Sequence, residues 1–445
     1  MNLHRTSPPA RSLFAGDEPD EEPTSPTAPR LPHVEALDGL RGACVLAVLF
    51  FHAGFSWASG GFLGVSTFFT LSGFLITTLL LVEHRHNARL DVVSFWRRRA
   101  RRLLPAASLG IALAIAYALV AGTETQRQGI FGDTVASLGY VANWWFMAGE
   151  RAYGDDLMGQ SPLLHYWSLA IEEQFYLLFP LVALVVLARV RRRTPLAIAV
   201  VAAAAACSVS PVVFGLSPDV TYYATPTRMG ELLAGVALAV LFDRRSTRGG
   251  LVGRNQWPQY IAGVGLVAAP VTVALWITTT TSTGWVYQGG LGAYAILSAV
   301  VIAAALVPAT PLSFILGLPL LRWLGTISYG LYVYHWPIFL WLDEQRTGLS
   351  SWPLFAVRMV VTVALAEASY RLIERRIRYG AGIAGGRRPL PLVPAALIAA
   401  AVLSVAALLV SVTAPDRSLD LDATQRDLSS ALAGTTSSSP GMATE

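Results

Sequence analysis

Apolar runs of about 20 residues recur along nearly the whole chain, and no other feature limits its folding choices as strongly. Each run is long enough to cross a bilayer as a helix. In lipid, only helices and closed barrels satisfy every backbone polar group. The runs lack strand alternation, so the predicted class is all-α: a polytopic transmembrane helical bundle. Charge supports this, because only 14% of the 445 residues are Asp, Glu, Lys or Arg, where a soluble domain carries about 25%.

Eleven spans are predicted, at 38–57, 62–82, 103–122, 166–188, 195–214, 224–242, 258–280, 288–307, 324–342, 352–373 and 392–414. Loops 83–102, 189–194, 243–257 and 374–391 hold seven, four, four and five arginines. Loops 123–165, 215–223, 281–287 and 343–351 hold only Arg127, Arg151 and Arg346. Positive charge stays in the cytoplasm, so the expected protein is a multi-pass plasma-membrane protein with a cytoplasmic N-terminus and an extracytoplasmic C-terminus. The net charge of +5 is all arginine against acid and sits at helix ends; it fixes topology and gives no reason to expect nucleic acid.

Residues 1–34 are rich in Pro, Ser and acid and are expected to be a disordered tail. The membrane domain is expected over 35–380, the additional helix at 392–414, and a second polar, disordered tail over 415–445. The outer loop contains "YVANWWFMAGERAYGDD", whose aromatic run suits a re-entrant or interfacial piece. No signal peptide is expected. Cys44 and Cys207 lie in separate apolar helices, as small buried side chains rather than a disulfide or metal site.

Chemistry is concentrated in a few ionisable residues that these spans retain. Each costs roughly 2.5–3.5 kcal/mol at bilayer depth and normally faces a protein interior or cavity. In "LDGLRGACVLAVLFFHAGF", Arg41 and His52 are eleven positions apart, on nearly one helix face with a rise of about 16 Å. Asp38 precedes Arg41 by three residues and can pair with it. "FWRRRARRLLPA" places Arg97, Arg98, Arg99, Arg101 and Arg102 together, more than topology needs. Guanidinium forks bind phosphate oxygens bidentately, so a phosphate-bearing cosubstrate fits there.

"LLHYWSLAIEEQFYLLFP" puts His165, Glu172 and Tyr176 on one face, with Glu173 turned away by about 100°. "TPTRMGELLAG" pairs Arg228 with Glu231. "LGTISYGLYVYHWPIFLW" aligns Ser328, Tyr332 and His335, while Trp336 and Trp341 suit an interfacial belt. Helix packing and satisfied core histidines account for some of these groups. All of them together suit either a transporter or an enzyme whose two substrates arrive from opposite sides.

The segments quoted, with "GGFLGVSTFFTLSGFLIT" and "YRLIERRIR", occur in an order that resembles acyltransferase family 3 over residues 36–378. These are bacterial integral-membrane O-acyltransferases that include O-antigen acetylases. The resemblance implies a ten-helix core, here followed by an eleventh span. It places the family's Arg-x10-His motif on Arg41 and His52, with His52 catalytic, and its donor-handling Arg-x-x-Arg motif on Arg99 and Arg102, or on Arg98 and Arg101. One departure is Ser66, where the family usually has an acid. Ser72 and Gly73 in "LSGFLIT" read as close helix packing. Some relatives carry an SGNH-type domain after an extra span; here residues 415–445 follow it.

The implied reaction is acyl transfer, with acetyl-CoA or another acyl-CoA as donor substrate and no permanently bound cofactor or metal. His52, Arg41 and Glu172 are the catalytic candidates. Arg98, Arg99 and Arg102 are the candidates for the CoA phosphates, and His165, Arg228, Glu231 and His335 for the acceptor. The expected acceptor is a hydroxyl of a surface carbohydrate or glycolipid, and the surroundings are membrane lipid. A macrolide-type antibiotic acceptor, and a transporter or flippase of a lipid-linked sugar, are the alternatives.

Overall fold

The computed structural model describes residues 33–149, 161–190, 192–246, 257–379 and 392–413. Both expected tails lie outside these residues apart from His33 and Val34, as do the end of the outer aromatic run and much of the loops 243–257 and 374–391. Among the described residues every element is helical and no strand occurs. Eight helices are long and apolar enough to cross a membrane, at the positions of spans two to eight and ten. The chain is a polytopic helical membrane protein. Spans one and nine are helical too, but shorter or more charged, and span eleven is the apolar helix Leu392–Val412.

The first is α1 (Glu35–His52), which keeps Glu35, Asp38 and Arg41 along 18 residues. A 3-10 turn at Ser56–Ala58 leads into α2 (Leu63–Asn87). Next comes α3 (Val92–Ala121), whose 30 residues span about 45 Å. That exceeds the roughly 30 Å hydrocarbon core, so its arginine-rich first turns project beyond the apolar layer. Asp91 caps α3 by accepting from the Ser94 amide at 2.9 Å, while Glu83 accepts from the Asp91 amide at 2.8 Å. These bonds fix the helix start, and with it the direction of the arginines.

The described part of the outer loop 123–165 is more structured than a single re-entrant piece. It forms α4 (Glu124–Leu138), opened by a Thr123/Gln126 capping box, and then, within the aromatic run, α5 (Ala142–Ala148). Trp144 and Trp145 are exposed, as an interfacial position requires, and the Trp145 indole donates to Asp133 at 2.8 Å.

Three long helices follow: α6 (Tyr166–Arg189), α7 (Arg193–Val213) and, after the short α8 (Pro218–Tyr223), α9 (Thr225–Ser246). Then come α10 (Trp257–Thr278), α11 (Leu291–Ala305), α12 (Pro311–Leu316), α13 (Pro319–Thr326) and α14 (Ser328–Trp341). The short α15 (Glu344–Thr347), α16 (Ser351–Ser369), a π-turn into α17 (Arg375–Tyr379), and α18 (Leu392–Val412) against α3 and α4 complete the chain.

Span nine is therefore two helices rather than the one expected over 324–342. The break follows Gly325, where a Cβ would stand 1.8 Å from the Asp38 carbonyl oxygen. Glycines on α1 answer it: a Cβ at Gly39 would lie 1.6 Å from the Leu316 carbonyl oxygen, and one at Gly42 would lie 2.1 Å from that of Leu321. Small residues let these backbones touch, which fixes α1 against α12 and α13. Between α2 and α9, Gly73 and Gly235 do the same against the carbonyls of Leu232 and Thr70. Thus α2 sits centrally, whereas α7 and α10 form the periphery with apolar faces such as Val213 and Val267 turned outward.

Prolines within these helices place polar groups. Pro337 has no N–H for the Val333 carbonyl, and that carbonyl instead accepts from His165 Nε2 at 3.0 Å. Pro180 likewise frees the Tyr176 carbonyl, which accepts from the Trp96 indole at 3.1 Å. Freed carbonyls in membrane helices are satisfied by neighbouring groups of this kind.

Candidate active site

The end of α1 and the middle of α14 bring His52 and His335 into direct contact. His52 Nδ1 lies 2.9 Å from His335 Nε2, and His335 Nδ1 lies 2.6 Å from the Tyr332 carbonyl oxygen. A carbonyl can only accept, so His335 carries its proton on Nδ1. With both rings neutral, His335 Nε2 then accepts from His52 Nδ1–H, and the His52 lone pair falls on Nε2. A base oriented by a second group, itself oriented by a third, is the arrangement of activated nucleophile sites.

His165 completes a cluster. Its ring meets His335 edge-on with centroids 5.6 Å apart, and its Nδ1 has no hydrogen-bond partner among the described residues. All three rings are buried. Among the described residues, no group of three His, Cys, Asp or Glu side chains is arranged to hold a metal ion. Trp336 lies at the opposite extreme from a belt position: it is 1% exposed, donates to the Ser161 carbonyl at 2.9 Å, and packs 5.1 Å from the His52 ring. Helix α14 is walled by protein on all sides, so its tryptophan does not reach headgroups. Trp341 is half-buried against Tyr117.

Toward the arginine-rich end lies a cavity of about 750 Å³, lined among others by Arg41, Arg99, Arg102, Glu172, Ser168 and Tyr332. Arg99 and Arg102 are one helical turn apart on α3 and face inward together. Arg99 lies over the Tyr176 ring at 4.7 Å. Arg98 points elsewhere, toward Glu83 Oε2 at 3.5 Å, and does not line the cavity. Asp38 Oδ1 lies 3.9 Å from the Arg41 guanidinium, and Asp38 Oδ2 lies 2.5 Å from His33 Nε2.

Within the cavity wall, the Tyr176 hydroxyl donates to Ser72 at 2.9 Å and Ser72 donates to Glu172 at 2.6 Å. The cavity ends at Tyr332. Its hydroxyl donates to the His165 carbonyl at 3.1 Å and shares a 2.6 Å bond with Ser168, and its ring lies 5.6 Å from that of His335. One phenol ring thus separates the arginine-lined space from the imidazole pair.

Arg228 and Glu231 belong to neither group. Arg228 Nε donates to Glu231 at 3.1 Å and its Nη2 donates to Ser66 at 3.1 Å. Phe69, Trp167 and Tyr222 surround the guanidinium at 4.9–5.3 Å, and neither charged residue lines the cavity. Ser66 therefore keeps a polar role although the usual acid is absent. Sequence reading passed over three hydroxyls. Ser72 reads as a packing residue, Ser168 is masked by its apolar neighbours, and Tyr332 gives only a spacing signal with His335.

An inward-facing arginine cavity thus ends one tyrosine ring from a buried, oriented imidazole within the membrane bundle. Residues 34–371 match the family described as "Acyltransferase domain", and the chain belongs to that family. It is 37% identical over 350 residues to the putative peptidoglycan O-acetyltransferase YrhL of Bacillus subtilis, covering 77% of this chain and 54% of that protein. Identity to the peptidoglycan O-acetyltransferase OatA of Listeria monocytogenes is 38% over 352 residues, covering 77% and 55% respectively. The O-acetyltransferase OatA of Staphylococcus aureus shares 33% over 344 residues, covering 77% and 56%. The chain thus spans about half the length of the curated relatives it matches. No solved structure matches it significantly.

Proposed function

We propose that this protein is a membrane O-acetyltransferase that moves an acetyl group from acetyl-CoA to a hydroxyl of a cell-wall carbohydrate. The observation that carries the reading is the His52–His335–Tyr332 hydrogen-bond chain beside the cavity lined by Arg99 and Arg102. Family membership supports acyl transfer, and the names of the relatives support peptidoglycan as the acceptor class.

In this reading the arginine-rich loops face the cytoplasm. The CoA phosphates dock on Arg99 and Arg102, with Arg41 further along the cavity. Tyr332 moves aside to let the thioester reach His52. Two routes balance. In the first, His52 Nε2 takes the acceptor's hydroxyl proton, the oxygen attacks the thioester carbonyl, the C–S bond breaks, and the proton passes to the leaving CoA thiolate. In the second, His52 Nε2 attacks the carbonyl itself, the C–S bond breaks, the CoA thiolate takes the proton that His52 Nδ1 gives up, and the acceptor hydroxyl then attacks the acylimidazole and returns its proton to His52. Glu172, tied to Ser72 and Tyr176, orients groups in the cavity. Arg228 and Glu231 hold α9 against α2 rather than touching substrate.

The test is mass spectrometry of cell-wall fragments from cells with and without the gene. Loss of the acetyl mass from glycan hydroxyls on deletion, restored by the wild-type gene, supports the reading. An unchanged wall, with the acetyl difference on a secreted small molecule, overturns the acceptor.

A further inference from the structure

A second cavity, of about 1100 Å³ with its open mouth included, lies further along α6, between α2, α6, α7 and α9. Its wall is nearly all aliphatic, and its three polar side chains already have partners. Thr77 donates to the Gly73 carbonyl at 2.7 Å, Thr225 to Gln174 at 2.6 Å, and Gln174 to the Tyr140 carbonyl at 2.8 Å. Nothing is left to recognise a sugar, a nucleotide or a pantetheine amide, because a polar ligand buried there loses its water without replacement. Leu178 and Val182, 59% and 55% exposed, open the cavity sideways toward lipid.

Its two ends differ. Along α9 the lining runs from Thr225 to Val240, about 22 Å of helix, against roughly 15 Å for half the hydrocarbon core. The Thr225 end is closed by the Gln174 bonds. The Val240 end meets the arginine-rich face, where Asp243 is held by Arg85 at 3.0 Å and Arg193 at 3.2 Å. Arg189 and Arg192, at the facing ends of α6 and α7, are exposed beside them. One carboxylate among four guanidiniums leaves positive charge in excess at the rim.

We propose that this cavity binds one chain of an anionic phospholipid from the arginine-rich leaflet, its phosphate on the rim formed by Arg189, Arg192 and Arg193. The occupant wedges the C-terminal half of α6, whose N-terminal half carries Ser168 and Glu172, against α7 and α9. This assignment stands independently of the reaction proposed above.

The experiment is native mass spectrometry of the purified full chain after incorporation into nanodiscs of phosphatidylglycerol, phosphatidylcholine or an equal mixture. Phosphatidylglycerol should remain bound through delipidation that strips phosphatidylcholine. The double variant R189Q/R192Q should cut that preference by about tenfold or more, since each basic residue near an anionic surface contributes about fivefold. Val182→Trp, placed at the lateral opening, should lower retention of both lipids. If it misfolds, the arginine variant decides alone, because both its sites are exposed. Equal retention of the two lipids, undiminished preference in R189Q/R192Q, or co-purification of an isoprenoid phosphate in place of phosphatidylglycerol would each overturn the assignment.

Discussion

Two buried polar clusters sit in the same bundle and behave as opposites. Around His52, two histidines share a hydrogen bond and a third meets them ring to edge, His335 and His165 each bond a backbone carbonyl, and a cavity approaches within one tyrosine ring. Around Arg228, a guanidinium, a carboxylate and a serine pair inside an aromatic shell and line neither of the two cavities described, while Arg228 Nη1 and Glu231 Oε1 keep no hydrogen-bond partner among the described residues. Both are costly in lipid, and cost alone does not mark a reacting group. Access and orientation do. The imidazole cluster lies one tyrosine ring from an arginine-lined cavity; the ion pair ties α9 to Ser66 of α2.

Substitutions that separate function from folding test this contrast. His52→Ala should lower acyl transfer by about 10³–10⁴-fold, since it removes the positioned base or nucleophile, while yield and thermal unfolding in detergent stay at wild-type levels. Arg228→Met should do the reverse. Leaving Glu231 buried and unpaired costs about 3–5 kcal/mol, and the double variant Arg228→Met/Glu231→Met should recover much of that loss. Denaturation of purified protein reads both, and a stable but inactive Arg228→Met would move Arg228 into the reaction.

His335→Phe should fall between these, at about a hundredfold lower turnover with little change in donor affinity, because His52 loses the acceptor that sets its tautomer. At the cavity mouth, Arg99→Gln with Arg102→Gln should raise the apparent KM for acetyl-CoA by about tenfold, since charge-assisted phosphate bonds are lost. Arg98→Gln should change KM by less than about twofold, since Arg98 turns to Glu83 and does not line the cavity. Equal effects from Arg98 and Arg99 would mean that the cavity lining does not define the phosphate site.

How much of this is legible in the sequence depends on the range of the interaction. Apolar length fixes the helical class, and the eleven-residue spacing of Arg41 and His52 points to a shared face. The structure puts Arg41 in the cavity wall and His52 beyond Tyr332. The contact of His52 with His335 joins residues 283 positions apart, and no periodicity reveals it. The split of span nine hides behind an unbroken apolar run, because it arises where Gly325 meets the Asp38 carbonyl. Trp336 is misleading for the same reason: an aromatic near a helix end resembles a belt until neighbouring helices enclose it. The arginine run shows the opposite limit, since five arginines within six positions conceal that only Arg99 and Arg102 among them turn inward to line the cavity.

The most direct measurement follows the thioester itself. Purified protein in nanodiscs is supplied with acetyl-CoA and a soluble cell-wall glycan fragment, and released CoA thiol is titrated alongside ester formed on the glycan. The expected result is CoA release matched one for one by acetyl ester, with both absent in His52→Ala. Intact acetyl-CoA in the presence of a competent hydroxyl acceptor, or undiminished release by His52→Ala, would contradict the assignment of the buried imidazole.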